Sequence, residues 1–210
     1  MLAAGFSRRF GKDKRLEPLP NSGTPGKAVG LASVEQWLAA DTLDQLYVVA
    51  RPDDDFAALL TKFLAHEDEK TQSSRCTLLT AVDAHLGMGH TLASAVAQIP
   101  PGALVIGLAD MPWIAPETVK LLAQRLRESP PDRVLQPRYN GKSGNPLGFG
   151  PGHREALKQC SGDQGARALV RSARAAGSVL DIDVDDSGIL YDIDQPDDLT
   201  GERSSPEREV

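Results

Sequence analysis

The first fourteen residues combine a run of small residues with a dense group of basic ones. The segment from Leu2 to Lys14 reads LAAGFSRRFGKDK. Small residues allow the backbone of a turn to approach a ligand closely, and exposed amides in such a turn can bind phosphate oxygens. Arg9 and Lys14 would then neutralise charge on a triphosphate. The spacing fits neither G-x-G-x-x-G nor a Walker A loop, which leaves another kind of phosphate-binding loop or a structural turn.

Two acidic positions could hold a divalent cation. Asp110 follows the apolar stretch Ala103–Leu108, and a carboxylate at the carboxyl end of a buried parallel strand is well placed to hold a metal ion. Mg²⁺ prefers one or two carboxylates together with phosphate oxygens and water. The acidic segment from Asp192 to Leu199 is the second candidate. The alternatives are a turn cap for Asp110 and a solvated acidic turn for the later segment.

Two further segments carry polar groups at predicted helix starts. The segment from Gly87 to Leu92 reads GMGHTL, where Thr91 is placed to cap a helix whose amino terminus favours an anion or a base carbonyl. Asp163 is likewise placed to cap the helix that follows it. Read from the residues alone, Arg167 is a surface residue of that helix, and the GMG segment is a flexible turn as the alternative.

These residues need a scaffold of alternating strands and helices. The strand candidates are Met1–Ala3, Leu46–Ala50, Cys76–Thr80, Ala103–Leu108, Val134–Gln136, Pro146–Phe149 and Val179–Val184. The helix candidates are Lys27–Ala40, Asp54–His66, Thr91–Ala97, Pro116–Arg127, Gly152–Lys158 and Gly165–Ala175. The alternation predicts a three-layer α/β domain with a mainly parallel central sheet, and ligands beyond the carboxyl ends of its strands.

The boundaries of this domain are indicated by composition. We expect one domain over residues 1–200 and a disordered polar tail over 201–210, because the tail lacks an apolar anchor. The glycine-rich stretch Gly141–Gly152 is expected to form a folded loop or hairpin inside the domain. Only Met1 and Leu2 precede the small residues of the first turn, so either the first strand is unusually short or the native start lies upstream.

Bulk properties exclude several classes of protein. The 210 residues carry a net charge of −6, which argues against a general nucleic-acid binder. The longest apolar stretch, Ala103 to Ala109, is too short to span a bilayer, and no export signal is readable, so we expect a cytoplasmic protein without a membrane partner. Cys76 and Cys160 form no CxxC pair and are expected to be reduced thiols.

The motif LAAG-x-S-x-R-x-G-x-x-K resembles the signature loop of the nucleotidyltransferases that attach NMP groups to cofactors and sugars. Within that superfamily the chain is most similar to the molybdenum cofactor cytidylyltransferases (MocA-like) and their guanylyltransferase relatives (MobA-like). Six blocks follow the family's order, from Leu2 to Leu199. Departures are Thr91 for the usual Ser, Gln195 for Thr, and Asn145 where the cytidylyl branch often has His.

The resemblance implies a role for each matching residue. It assigns nucleotide binding to Leu2, Ala3, Ala4, Gly5, Ser7, Arg9, Lys14, Gly87, Met88, Gly89 and Thr91. It assigns acceptor binding to Gly144, Asn145, Pro146, Asp163 and Arg167. The catalytic residues would be Arg9, Lys14 and Asp110, with Asp110 and Asp194 as ligands of Mg²⁺.

The resemblance also implies a reaction on a Rossmann-like nucleotidyltransferase fold with a mixed sheet. CMP would pass from CTP to the phosphate of molybdenum-molybdopterin, giving molybdopterin cytosine dinucleotide and pyrophosphate, with a molybdoenzyme or its maturation chaperone as a protein partner. LAAG favours CTP because the guanylyl branch tends to read LAGG. The alternatives are GMP transfer from GTP, transfer to another phosphorylated metabolite, and a non-catalytic cofactor carrier.

Overall fold

Strands and helices alternate along residues 1–7, 9–20, 26–66 and 73–200, which the computed structural model describes. The strands are β1 (Leu46–Ala50), β2 (Cys76–Thr80), β3 (Leu104–Ile106), β4 (Val134–Tyr139), β5 (Lys142–Ser143), β6 (Leu147–Phe149) and β7 (Val179–Asp183). The α-helices are α1 (Val29–Leu38), α2 (Asp55–His66), α3 (Met88–Gln98), α4 (Pro116–Arg127), α5 (Arg154–Lys158) and α6 (Arg167–Ala175). Short 3₁₀ turns include Lys14–Leu16, Ala84–Leu86, Ser187–Leu190 and Pro196–Thr200.

The amino-terminal segment joins two sheets. β1 pairs in parallel with β2, and Leu2 forms parallel bridges with Val49 of β1 on one side and with Leu108 on the other. The amide of Leu2 donates to the carbonyl of Gly107 at 2.8 Å, and the amide of Ala3 donates to that of Val49 at 2.8 Å. The predicted first strand is therefore reduced to a short segment that lies in the middle of the molecule.

The second sheet has the order β3-β6-β4-β5, with β7 also paired to β4. β4 and β7 are parallel, whereas β6 is antiparallel to both β3 and β4. The chain between β4 and β6 is too short for a parallel crossover, which needs a dozen or more residues. It turns instead at Asn140 and Gly141, whose φ angles of 48° and 77° suit a tight hairpin turn. The Gly141–Gly152 stretch thus begins with a hairpin.

The prediction of an α/β fold is confirmed, whereas a mainly parallel sheet is not clearly borne out. Among the described strands of the second sheet, the β3–β6, β4–β5 and β4–β6 pairings are antiparallel and only β4–β7 is parallel. Hydrophobic periodicity reports which residues are buried but not the direction of a strand, so the reversed β6 could not be read from its apolar residues.

Helices cover both faces of the sheets. Trp37 of α1, Phe56 of α2 and Val119 of α4 belong to one buried cluster. Leu92, Leu157 and Val170, from α3, α5 and α6, belong to another. The first strand contributes to both, because Met1 and Ala3 pack in the former cluster and Leu2 packs against the latter. Successive side chains of a strand point to opposite faces of the sheet. The helices on the two faces and the sheet between them form three layers.

The first strand begins inside the protein, beside an apolar cavity of about 440 Å³ between β1 and β3. The α-amino group of Met1 donates to the carbonyl of Tyr47 at 2.7 Å. Burial lowers the pKa of this amino group to about 5. Burial also raises the pKa of the neighbouring Cys76 thiol to about 11.

Three remaining sequence predictions concern other parts of the chain. Both cysteines, Cys76 and Cys160, are free thiols. None of the helices in the described ranges is long and apolar enough to cross a membrane. The predicted disordered tail, residues 201–210, lies outside the described residues.

Candidate active site

The carboxyl ends of the central strands open onto a cavity of about 390 Å³, which we call the central cavity. It is lined by many of the residues that the sequence singled out: Leu2, Ala3, Ala4, Gly5, Ser7, Arg9, Lys14, Gly87, Met88, Thr91, Asp110, Asp163, Arg167 and Asp194. These residues come from five distant segments of the chain. The fold brings them together because parallel strands that end at one edge of a sheet place their following loops side by side.

Lys14 stands between the two candidate metal ligands, Asp110 and Asp194, which we call the acidic pair. Its Nζ lies 2.7 Å from Oδ2 of Asp110 and 3.1 Å from Oδ1 of Asp194. Arg9 reaches the other oxygen of Asp194 at 3.2 Å, although its side chain is 81% exposed. The two basic residues are thus paired with the acidic pair.

The charge at Asp110 is only partly compensated. Burial raises the pKa of this carboxyl, Lys14 opposes that effect, and Asp192 raises the pKa again, so that the net direction is upward. Burial lowers the pKa of Lys14, but contacts with the acidic pair outweigh it and leave the pKa raised. The buried Oδ1 of Asp110 has no hydrogen-bond partner within the described part of the chain. A carboxylate in this state can accept a further cation.

Backbone contacts hold the acidic pair in place. The hydroxyl of Ser33 donates to the carbonyl of Ala109 at 2.9 Å, next to Asp110. The amide of Ile193 donates to the carbonyl of Asp110 at 3.0 Å, which ties the later acidic segment to the end of the earlier strand. Oδ2 of the buried Asp198 accepts from the amide of Asp194 at 2.8 Å. The acidic segment is therefore a packed turn around Asp198.

The phosphate-binding loop predicted at Leu2–Lys14 folds back on Ser7, whose φ is 49°. The amide of Phe10 donates to the carbonyl of Ser7 at 3.0 Å, and the amide of Lys14 donates to its hydroxyl at 3.3 Å. Ser7 thus fixes where the loop turns and where Lys14 re-enters the cavity.

The start of α3 packs on the segment before α6. Gly87 precedes the helix with a φ of 117°, and a Cβ there would lie 2.6 Å from Oδ1 of Asp163. The amide of Gly89 donates to the carbonyl of Gly162 at 2.7 Å. Gly89 is one nucleotide-binding candidate that does not line the central cavity, because it lies against the backbone of Ser161.

Both predicted helix caps are wrong. α3 begins at Met88 rather than at Thr91, so Thr91 lies in the first turn and its hydroxyl donates to the carbonyl of Gly87 at 3.3 Å. α6 begins at Arg167 after Ala166, without a side-chain cap. Glycine and alanine can begin a helix where neighbouring backbone satisfies its amides, so the polar residue nearest a helix start need not be its cap.

The predicted acceptor loop at Gly144, Asn145 and Pro146 does not line the central cavity. The amide of Asn145 donates to the carbonyl of Ile189 at 2.9 Å, and that of Gly144 donates to the carbonyl of Pro137 at 2.9 Å. The loop is thus held between β4 and the turn Ser187–Leu190. Of the five acceptor candidates, the structure brings only Asp163 and Arg167 to the cavity.

A group of four charged residues that packs against the loop was not found from sequence; of the four, Arg15 also borders the central cavity. We call Asp13, Arg15, Arg51 and Asp54 the rear network. Arg15 donates to both carboxylate oxygens of Asp54 at 2.8 Å and, through Nε, to Asp13 at 2.8 Å. Arg51 donates to Asp13 at 3.1 Å. Burial raises the pKa of Asp54, but Arg15 and then Arg51 outweigh it, so the pKa is lowered.

The basic residues near the amino terminus therefore contact several different parts of the molecule. Arg9 and Lys14 line the cavity, the buried Arg15 also borders it, and Lys12 pairs with Glu17 at 2.6 Å. Arg8 lies outside the described residues. The only sequence signal for Arg15 as a buried residue would have been its partner Asp54, which is 39 positions away.

Comparison with known proteins gives one family match. The family described as the MobA-like NTP transferase domain matches residues 1–177. No curated protein gives a significant match.

Solved structures share the fold over nearly the whole chain. The structure of Rv0371c from Mycobacterium tuberculosis H37Rv is 26% identical, covers 94% of this chain and 92% of its own, and has a TM-score of 0.66. Its homologue from Mycobacterium sp. strain JC1 is 27% identical, with 94% and 90% covered and a TM-score of 0.68. A nucleotidyl transferase from Methanothermobacter is 18% identical, with 94% and 91% covered and a TM-score of 0.71. Rv0371c is also known as a complex with manganese, where identity is 24%, coverage is 96% of each chain and the TM-score is 0.66.

Proposed function

Because the chain belongs to the MobA-like NTP transferase domain family, we propose that it is a Mg²⁺-dependent nucleotidyltransferase that transfers CMP from CTP to the phosphate of molybdenum-molybdopterin. The products are molybdopterin cytosine dinucleotide and pyrophosphate. The observation that carries the proposal is the meeting of the small-residue loop, Lys14 and the acidic pair in one cavity at the strand ends.

The reaction needs positioning more than it needs acid–base chemistry. An oxygen of the acceptor phosphate attacks the α-phosphorus of the nucleotide, and the bond to the bridging oxygen of pyrophosphate breaks. The acceptor oxygen is already anionic, so no side chain has to remove a proton from it. Lys14 and Arg9 neutralise the triphosphate, and the loop amides from Ala4 and Gly5 hold its oxygens in line for attack.

The residues at the acidic pair fit a divalent cation. The buried Oδ1 of Asp110 has no partner within the described residues, and Asp194 stands across Lys14 from it. No group of three metal-binding side chains occurs in the described ranges. The two carboxylates of the acidic pair suit Mg²⁺, which takes one or two carboxylates and completes its shell with phosphate oxygens and water. When bound, the ion supplies charge neutralisation at the phosphates.

The choice of base and acceptor rests on sequence motifs. Ala4 gives the opening LAAG, which favours CTP, and GTP is the second candidate. Arg167 lines the cavity on the side of α6, which supports assigning it to the acceptor phosphate, whereas the loop at Asn145 is held elsewhere. A cofactor carrier without turnover is the candidate from another class. The pairing of Lys14 with Asp110 argues against it, because a carrier would need neither residue.

The test is pyrophosphate release with CTP, GTP or ATP in the presence of Mg²⁺ and molybdenum-loaded molybdopterin. We expect release with CTP and its loss in Asp110→Asn. The matched control is Asp44→Asn, because the Asp44 side chain is 96% exposed and lies outside the central cavity. Release with GTP alone would reverse the choice of base. Pterin binding without release with any nucleotide would favour the carrier.

A further inference from the structure

Arg51 lies behind the phosphate-binding loop and does not line the central cavity. It follows directly after the last residue of β1, and its side chain is 20% exposed. Its NH1 donates to the carbonyl of Gly5 at 3.0 Å, and its guanidinium lies 4.8 Å from the ring centre of Phe6. Arg51 therefore touches two consecutive loop residues that line the central cavity, Gly5 and Phe6, without lining that cavity itself.

Arg15 donates a similar hydrogen bond to a backbone carbonyl two residues earlier in the loop. Its NH1 donates to the carbonyl of Ala3, and its guanidinium is fixed by two hydrogen bonds to Asp54. The carbonyls of Ala3 and Gly5 thus both accept hydrogen bonds from arginines of the rear network, of which only Arg51 lies outside the lining of the central cavity. The amides of Ala4 and Gly5 have no hydrogen-bond partner within the described part of the chain, and both residues line the cavity.

We infer that Arg51 is a positioning residue for nucleotide binding: it holds the loop carbonyls away from the cavity so that the loop amides face the triphosphate. Backbone amides that point into a concave site bind anions well, whereas carbonyls there would repel them. An unrestrained loop would sample both orientations, so part of the binding free energy would be spent on ordering it. This inference rests on the proposed function for the identity of the anion as a nucleotide triphosphate.

The charges of the rear network sum to zero. A charge-balanced variant can therefore distinguish a positioning role of Arg51 from an effect of its positive charge. Arg15 and Arg51 face Asp13 and Asp54, so the four side chains sum to zero. Removing Arg51 alone leaves one negative charge behind a loop that binds an anion. A double variant, Arg51→Met with Asp13→Asn, removes one charge of each sign and restores the balance. It does not restore the hydrogen bond to Gly5 or the contact with Phe6.

The experiment measures the Kd of inorganic tripolyphosphate with Mg²⁺ by calorimetry, and KM and kcat with CTP. In Arg51→Met we expect Kd and KM to rise by about tenfold with kcat unchanged, because the loop contacts the triphosphate equally in the ground state and in the transition state. Arg51→Lys, which keeps the charge and can donate to one carbonyl, should recover part of the loss. The double variant should remain as weak as Arg51→Met.

Other outcomes would overturn the inference. If the double variant binds tripolyphosphate like the wild type, Arg51 acts through its charge. If Arg51→Met lowers the Tm of the unliganded protein but leaves Kd unchanged, Arg51 is only structural; Arg51→Lys serves the same comparison if the methionine variant does not fold. A wild type that binds no tripolyphosphate would also refute it. A wild type that binds tripolyphosphate but releases no pyrophosphate with any nucleotide overturns the proposed function alone, and Kd still decides the role of Arg51. Arg127→Met, at an exposed position away from the central cavity, is the control.

Discussion

In the 210-residue chain that begins at Met1, the buried amino group should make the free energy of unfolding depend on pH between pH 5 and pH 8. Its pKa is lowered from 8.0 to about 5 by burial. In the unfolded chain the group is an ordinary amine that binds a proton below about pH 8. Between these values the unfolded state holds a proton that the folded state lacks, so the free energy of unfolding rises as the pH rises from 5 to 8. Below pH 5 both states are protonated and the penalty is constant.

The size of the effect follows from the shift. Each pKa unit corresponds to about 1.4 kcal/mol, so three units give about 4 kcal/mol between pH 8 and pH 5. That is a large part of the 5–15 kcal/mol that stabilises typical domains, as a rough guide. The neighbouring Cys76 thiol, with its pKa raised to about 11, stays protonated throughout and does not add to the change.

The assay is urea unfolding at pH 5, 6, 7 and 8 of two forms of the chain, one with a free amine and one acetylated at Met1. The acetylated amine keeps an N–H to donate to Tyr47, carries no titrating charge, and has room in the adjacent cavity of about 440 Å³. Other titrating groups affect both forms alike. We expect the difference in unfolding free energy to widen by about 4 kcal/mol from pH 8 to pH 5. Parallel pH profiles would refute the reasoning, because they would mean that the amine is solvated.

Two further predictions concern the central cavity. Lys14→Met removes the ammonium that bridges the acidic pair. In the absence of nucleotide, calorimetry should therefore show that this variant binds Mn²⁺ more tightly than the wild type, although it loses turnover. Weaker Mn²⁺ binding would mean that Lys14 organises the carboxylates instead of competing for them. Gly89→Ala should lower the free energy of unfolding, measured in urea, by about 1–3 kcal/mol, because its Cβ would overlap the backbone of Ser161. The control Gly102→Ala, where a Cβ meets nothing within 4 Å, should lower it little. Equal losses in the two variants would contradict the close packing of α3.

The strands and helices were predictable because their signals are local. The apolar runs at Leu46–Ala50 and Cys76–Thr80 coincide with β1 and β2, and Pro116 begins α4 as expected of a proline in a first turn. Boundaries failed where the signal was ambiguous. α3 begins one turn before Thr91, because the packed glycines of the preceding segment start the helix without a polar cap.

The cavity face of the site was also predictable, and its rear was not. Asp110 could be placed because it follows a strand end, and Lys14 because it is a basic residue of the loop that leaves the first strand; such strand ends meet at one edge of the sheet. Arg15 and Asp54 look like ordinary surface residues in sequence, and only the tertiary fold makes them a buried pair. A periodic sequence pattern does not predict which charged residues will pair in the fold. Such networks are therefore found only from the tertiary structure.

The charges around the cavity explain why the basic cluster in the sequence overstates the site's attraction for anions. On the cavity side Arg9 and Lys14 already face the acidic pair, and Asp192 adds a further carboxylate that raises the pKa of Asp110. The rear network sums to zero. A free triphosphate would therefore meet no large positive field. It gains Lys14 and Arg9 only by releasing them from carboxylates, and those carboxylates then need another cation. Binding of nucleotide and of divalent metal should therefore favour each other, because each supplies the partner that the other displaces.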